Sequence, residues 1–169
     1  RHGAGPSGAQ RQPHPLGDQA RVGVHLAPGH PAPVDAGSRV HDGFEGHLVK
    51  SRARVADIRY NLLVDGPGGR AAYELEFPNG GTAYVIGNVI GQSATTTNPV
   101  VVAYGAEGRA WPDNALFLSH NTLVSDNPKG AWFLRVWSAG FDNPLNVRAV
   151  NNLTVGVGLF ELSAPGTFR

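Results

Sequence analysis

Two glutamates stand one residue apart in the run YELEF, at Glu74 and Glu76. On an extended strand, residues i and i+2 share a face about 7 Å apart, a separation that suits the acid and base of an inverting glycosidase. The competing reading is that alternation leaves both carboxylates on a wet face with no reaction to perform. Lys50 offers these carboxylates a counter-charge on a neighbouring strand, in an ion pair that stabilises little where it is exposed. Four aromatic residues, Tyr104, Trp111, Trp132 and Trp137, have faces broad enough to stack on sugar rings. Trp132 falls on an inward phase and reads as core, so Trp111 and Trp137 are the better platforms, with Arg135 beside Trp137 on the outward phase. His120 precedes Asn121 in a bend and reads as a turn histidine.

Other chemistries are excluded more simply. The chain has no cysteine, which removes disulfides, thiol catalysis and Cys-based zinc sites. It carries no phosphate-binding loop, dinucleotide fingerprint, nucleophile elbow or H-E-x-x-H pair, so no cofactor is expected. His14, His25, His30 and His41 match no metal-ligand spacing, and Asp126–Asn127 and Asp142–Asn143 are isolated pairs, so no metal is expected either. A formal net charge of +1 makes no electrostatic case for nucleic acid or an anionic membrane, and no apolar run approaches a membrane-spanning length.

The elements that position these residues follow from a phrase used four times: IRYNLLVDG, YVIGNVIGQ, LFLSHNTLVSD and VRAVNNLTVG. Each has alternating apolar residues, an asparagine, then a second short apolar run. The asparagines are Asn61, Asn88, Asn121 and Asn152, spaced 27, 33 and 31 residues apart. Self-similarity at such a period marks a stacked repeat, with one strand–bend–strand corner per copy. Asparagine tolerates left-handed backbone angles at a bend, and its amide can bond to the same asparagine on the next coil. An all-β sandwich is the alternative, but it needs hairpin turns every 8–12 residues, and the connections here are long and uneven. Glycine (23) and proline (13) exceed a fifth of the chain, which fits short strands joined by turns rather than helices.

The expected fold is therefore an all-β, right-handed parallel β-helix of about four coils over residues 46–169. Residues 1–45 hold six prolines, eight glycines and five histidines without apolar alternation. They are expected to form a disordered arm, or to be sequence foreign to the fold, packing poorly against the coils. Val22, Val24 and Leu26 are the one strand-like hint there. Because a solenoid starting near residue 46 lacks an N-terminal cap, further coils are expected to precede it in a longer protein. The earlier strand of each coil (His47–Lys50, Tyr73–Phe77, Val100–Tyr104 and Trp132–Trp137) should stack into one sheet. Strict alternation then sends Leu75 and Leu134 in, and Lys50, Glu74, Glu76, Phe133, Arg135 and Trp137 out.

The phrase HLVKSRARVADIRYN resembles a strand of the chondroitinase-B and alginate-lyase type of polysaccharide lyase, which are right-handed parallel β-helices. The resemblance covers about Gly46–Asn88. It implies a V-K-S lysine, here Lys50, acting as Brønsted base ahead of the bend at Asn61. The family's next coil offers an assisting arginine where this chain reads LEFPNGG, with Glu76 in its place; Arg52 or Arg70 would have to substitute, and Arg52 is taken as the candidate. The resemblance further implies an acidic polysaccharide as partner and a bacterial protein that is secreted, periplasmic or on the cell surface; the outward-face reading above makes Glu74, Glu76, Tyr104, Trp111, Arg135 and Trp137 the residues expected to bind it. A non-catalytic β-helix binding module is the alternative, since one scaffold carries many functions.

Overall fold

The computed structural model describes residues 24–26, 32–34, 36–141, 145–161 and 166–168. Among the described residues seventeen short strands, all paired in parallel, form three sheets that wrap a common core. The first sheet holds β1 (Val24–Leu26), β4 (His47–Ser51), β7 (Tyr73–Phe77), β10 (Val100–Tyr104), β13 (Ala131–Val136) and β16 (Gly158–Leu159). The second holds β2 (Ala32–Val34), β5 (Val55–Arg59), β8 (Thr82–Ile86), β11 (Ala115–Ser119), β14 (Asn146–Val150) and β17 (Gly166–Phe168). The third holds β3 (Arg39–His41), β6 (Leu62–Val64), β9 (Val89–Gln92), β12 (Thr122–Ser125) and β15 (Leu153–Val155). Chain order visits the sheets in rotation, so the protein is a parallel β-solenoid. Its helical content among the described residues is a single 3-10 turn, Ser138–Gly140.

Stacking places like residues on like. Ile58, Val85, Leu118 and Ala149 align across the second sheet, and Leu63, Ile90 and Leu123 across the third; all are buried. Each large aliphatic side chain so buried contributes roughly 2 kcal/mol from its removal from water. The four repeated asparagines form the expected column at the corner between the second and third sheets. The Oδ1 atoms of Asn88, Asn121 and Asn152 accept the backbone N–H of Asn61, Asn88 and Asn121 at 2.9, 2.9 and 3.1 Å. Their Nδ2 groups donate down to the carbonyls of Ile58, Val85 and Leu118 at 2.8–2.9 Å.

The bend itself differs from the sequence reading. The left-handed residue is the one before each asparagine: Tyr60, Gly87, His120 and Asn151 have φ of 56°, 68°, 55° and 54°. The asparagine's job is hydrogen bonding across coils, and its neighbour makes the turn. At Gly87 a side chain is excluded for a second reason, because an added Cβ would lie 2.6 Å from the Tyr60 ring.

The stack also begins ahead of Gly46. Strands β1, β2 and β3 pair with β4, β5 and β6, Val40 is buried, and the Ser38 N–H donates to Asn61 Oδ1 at 3.0 Å. The boundary drawn at residue 45 therefore moves to the N-terminal side of these strands. The remaining part of the proposed arm, including His14 and His30, lies outside the described residues.

Candidate functional site

The first sheet positions the charged residues. Its register aligns Lys50 with Glu76, Glu76 with Ala103 and Ala103 with Arg135, as one column. Alternation within these strands is not strict, however. In β4 the pair Leu48–Val49 is buried in succession and in β13 the pair Phe133–Leu134, while β7 is buried from Glu74 to Phe77 and β10 along its whole length. Two consecutive residues turn to the core, so the residues three apart that flank them, such as His47 and Lys50, come out on the same side.

This step separates the two glutamates. Glu74 is fully buried, its carboxyl facing its own backbone N–H and the Gln92 side chain. Burial raises its pKa well above the usual value, and the neighbouring Asp65 carboxylate adds to the rise. Glu74 thus sits in the core, where burial favours its protonated form, and does not face a ligand beside Glu76. Phe133, expected outside, is likewise buried, whereas Trp132, expected inside, is only half-buried.

Around Glu76 the structure assembles an ion cluster. Glu76 Oε2 lies 2.8 Å from Lys50 Nζ and 2.9 Å from His47 Nε2, at only 3% side-chain exposure. His47 also stacks on Tyr73, centroids 5.1 Å apart. The loop after β10 brings Glu107 over the cluster, its Oε1 3.1 Å from Lys50 Nζ and its Oε2 2.6 Å from Arg52 Nη1, with Arg52 Nη2 donating to Oε1 at 2.9 Å. Arg52 Nη1 further donates to Asn79 Oδ1. That loop is clamped by its backbone: the N–H groups of Gly105, Glu107 and Ala110 donate to the carbonyls of Phe77, Pro78 and Asn79 at 2.8, 2.8 and 3.0 Å.

These contacts decide the protonation states. Burial alone would lower the Lys50 pKa, but its bonds to Glu76 and Glu107 outweigh it and raise the amine further. Burial would lift Glu76, yet His47 and Lys50 hold it below the usual carboxylate range. Arg52 first, and then Lys50, bring Glu107 down to about 2. Lys50 is a held ammonium, the opposite of a poised base. Lys50 and Arg52, the catalytic pair named from sequence, do come together, but with Glu107 between them.

The aromatic candidates divide. Arg135 is exposed, its guanidinium carbon 5.4 Å from the Trp132 ring centre and 5.0 Å from that of Trp137. Tyr104 is fully buried, stacked with Phe141, and its hydroxyl donates to the Gly81 carbonyl; burial pushes its pKa up. It is a core residue and not a sugar platform. Trp111 packs against Gly81 at the corner between the first and second sheets, its indole N–H buried and without a partner.

Sequence reasoning missed His47, Glu107, Asn79 and the outward setting of Trp132. His47 was hidden by assumed strict alternation, which puts it opposite Lys50. The signal for Glu107 was the length of the loop that carries it, Gly105–Asn114. Comparison of the chain with protein-family models, curated proteins and solved structures finds no match.

Proposed function

We propose that this β-solenoid binds an acidic polysaccharide on the outer face of its first sheet without cleaving it. The observation that carries the reading is Arg135 between Trp132 and Trp137. Two indole faces suit the C–H faces of pyranose rings, and the guanidinium between them suits a uronate carboxylate. Among the described residues no carboxylate forms an ion pair with Arg135, so its charge is available. Lys50 and Arg52 are by contrast matched by Glu76 and Glu107. The resemblance of the Lys50 strand to polysaccharide lyases, and the right-handed winding that twisted parallel strands favour, belong to this reading as a shared scaffold. The reaction does not follow, because abstraction needs a neutral amine and an unopposed positive charge for the developing anion. An exported bacterial protein is the setting in which such a ligand is met.

The test has two arms on alginate, chondroitin and pectate. Affinity electrophoresis should show retardation that is weakened in Arg135→Ala and Trp137→Ala. Absorbance of unsaturated uronic ends should stay flat. Absence of retardation on all three polymers would remove the binding reading, and turnover that disappears in Lys50→Ala would reinstate the lyase.

A further inference from the structure

The turns that lead from the third sheet into the first stack on one another and enclose a groove of about 630 Å³. It is lined by three successive turns, at residues 94–99, 127–130 and 157–159, and Trp132 forms part of its wall. Its apolar surface comes from Pro99, Pro128, Trp132 and the exposed Val157 and Leu159, which are 73% and 51% accessible.

The two asparagine carboxamides of this groove are biased in one direction. Asn98 Oδ1 accepts the Val100 N–H at 3.0 Å, and Asn127 Oδ1 accepts the Lys129 N–H at 3.0 Å. Those two bonds fix which end of each carboxamide is oxygen, because only the oxygen can accept. The turns thus consume the side-chain acceptors and leave the Nδ2 donors of Asn98 and Asn127. Thr96 is spent within its own turn: its hydroxyl is directed at the carbonyls of Ala71 and Asn98, both at 2.9 Å, and accepts the Asn98 N–H at 3.3 Å. Among the described residues no acidic side chain lines the groove. Lys129 is exposed there and forms no ion pair among the described residues.

We infer that this groove is a second subsite for the same acidic polysaccharide, taking a uronate or similarly acceptor-rich sugar with the Asn98 and Asn127 amides and Lys129. The inference rests on the proposed function and extends it. Trp132 is the link: one residue lines the groove and lies beside Arg135, so a chain seated on the indoles continues into the turns. Donors in a recess with apolar walls match a sugar ring, which offers hydroxyl and carboxylate acceptors at its edge and C–H groups on its face. A membrane surface fits poorly, since recognition of anionic headgroups uses a cluster of several basic residues and the groove has one lysine among the described residues. Two subsites on one rigid face act together, so affinity should rise steeply once a ligand is long enough to span both.

The test is calorimetric titration of the whole chain with uronate oligosaccharides of increasing length, against a neutral oligosaccharide of matching length. Asn127→Asp and Asn98→Asp retain the oxygen that caps each turn and replace the donor with a negative charge, so folding is preserved; Lys129→Ala removes the cation. For wild type, affinity should climb with length, and the neutral series should stay weak. Each aspartate variant should lower affinity for the longest oligomer by about tenfold, and Lys129→Ala by about fivefold, with the shortest oligomer unaffected. Length dependence unchanged in all three variants, with binding still lost in Arg135→Ala, would overturn the groove and leave the first site standing. Failure of wild type to bind any oligomer would remove both.

Discussion

Replacing Asn121 by alanine removes a rung from the middle of the asparagine column. In the native protein Asn121 Oδ1 accepts the Asn88 backbone N–H at 2.9 Å and the Asn88 Nδ2 at 3.0 Å, and Asn121 Nδ2 donates to the Val85 carbonyl at 2.9 Å. Asn88 and Asn121 are each 1% exposed, so water cannot take over these roles. The mutation strands the Asn88 N–H, one Asn88 amide hydrogen and the Val85 carbonyl. Each buried group left unpaired costs about 1–3 kcal/mol, so the loss should total about 3–9 kcal/mol, a large share of the stability of any single domain. Asn61→Ala is the internal control, because the Asn61 side-chain oxygen serves the Ser38 N–H at the start of the column; it should cost about 1 kcal/mol. Urea denaturation followed by circular dichroism measures both, and amide exchange at Asn88 should accelerate in Asn121→Ala. A loss no larger than that of Asn61→Ala would refute the idea that the column holds the coils in register.

The buried acid makes a second prediction. Burial raises the folded-state pKa of Glu74 well above 4.5, so its favourable contribution is complete at low pH and is lost as pH rises towards and through that raised value. Glu74→Gln should therefore be more stable than wild type in alkaline melts, with the gap closing on acidification; a pH-independent gap would contradict the assignment. Glu76 and Glu107 have the opposite sign, since their pKa values are lowered, Glu107 to about 2. Their contribution is present above 4.5 and fades as pH falls through the lowered values, so Glu107→Gln should flatten the acid limb of the stability curve. The same variant frees Arg52, and its affinity for a polyuronate should exceed that of wild type in calorimetry. Finally, removing residues 1–45 takes away β3 and the buried Val40, exposing the edge of β6. The melting temperature should fall by about 5 °C or more, and an unchanged melt would return these residues to the role of a dispensable arm.

Much of the solenoid was legible because a stacked repeat writes its geometry into spacing. Parallel coils place equivalent positions beside each other, so four asparagines in like contexts had to share a corner, and Lys50, Glu76 and Arg135 had to share a column. Three features were legible only in the folded chain. The N-terminal strands are three residues each, too short and too rich in proline and glycine nearby to show a period of their own; pairing with β4, β5 and β6 is what defines them. Glu74 and Glu76 differ in fate because two successive residues of the strand turn inward, a backbone step that apolar alternation cannot encode. Glu107 reaches Lys50 across 57 residues, and the groove gathers turns from three coils. Local sequence sets which residues a strand or a turn contains. Which loop lies over which strand is decided by the closure of the whole coil, and the charge state of Lys50 follows from that closure.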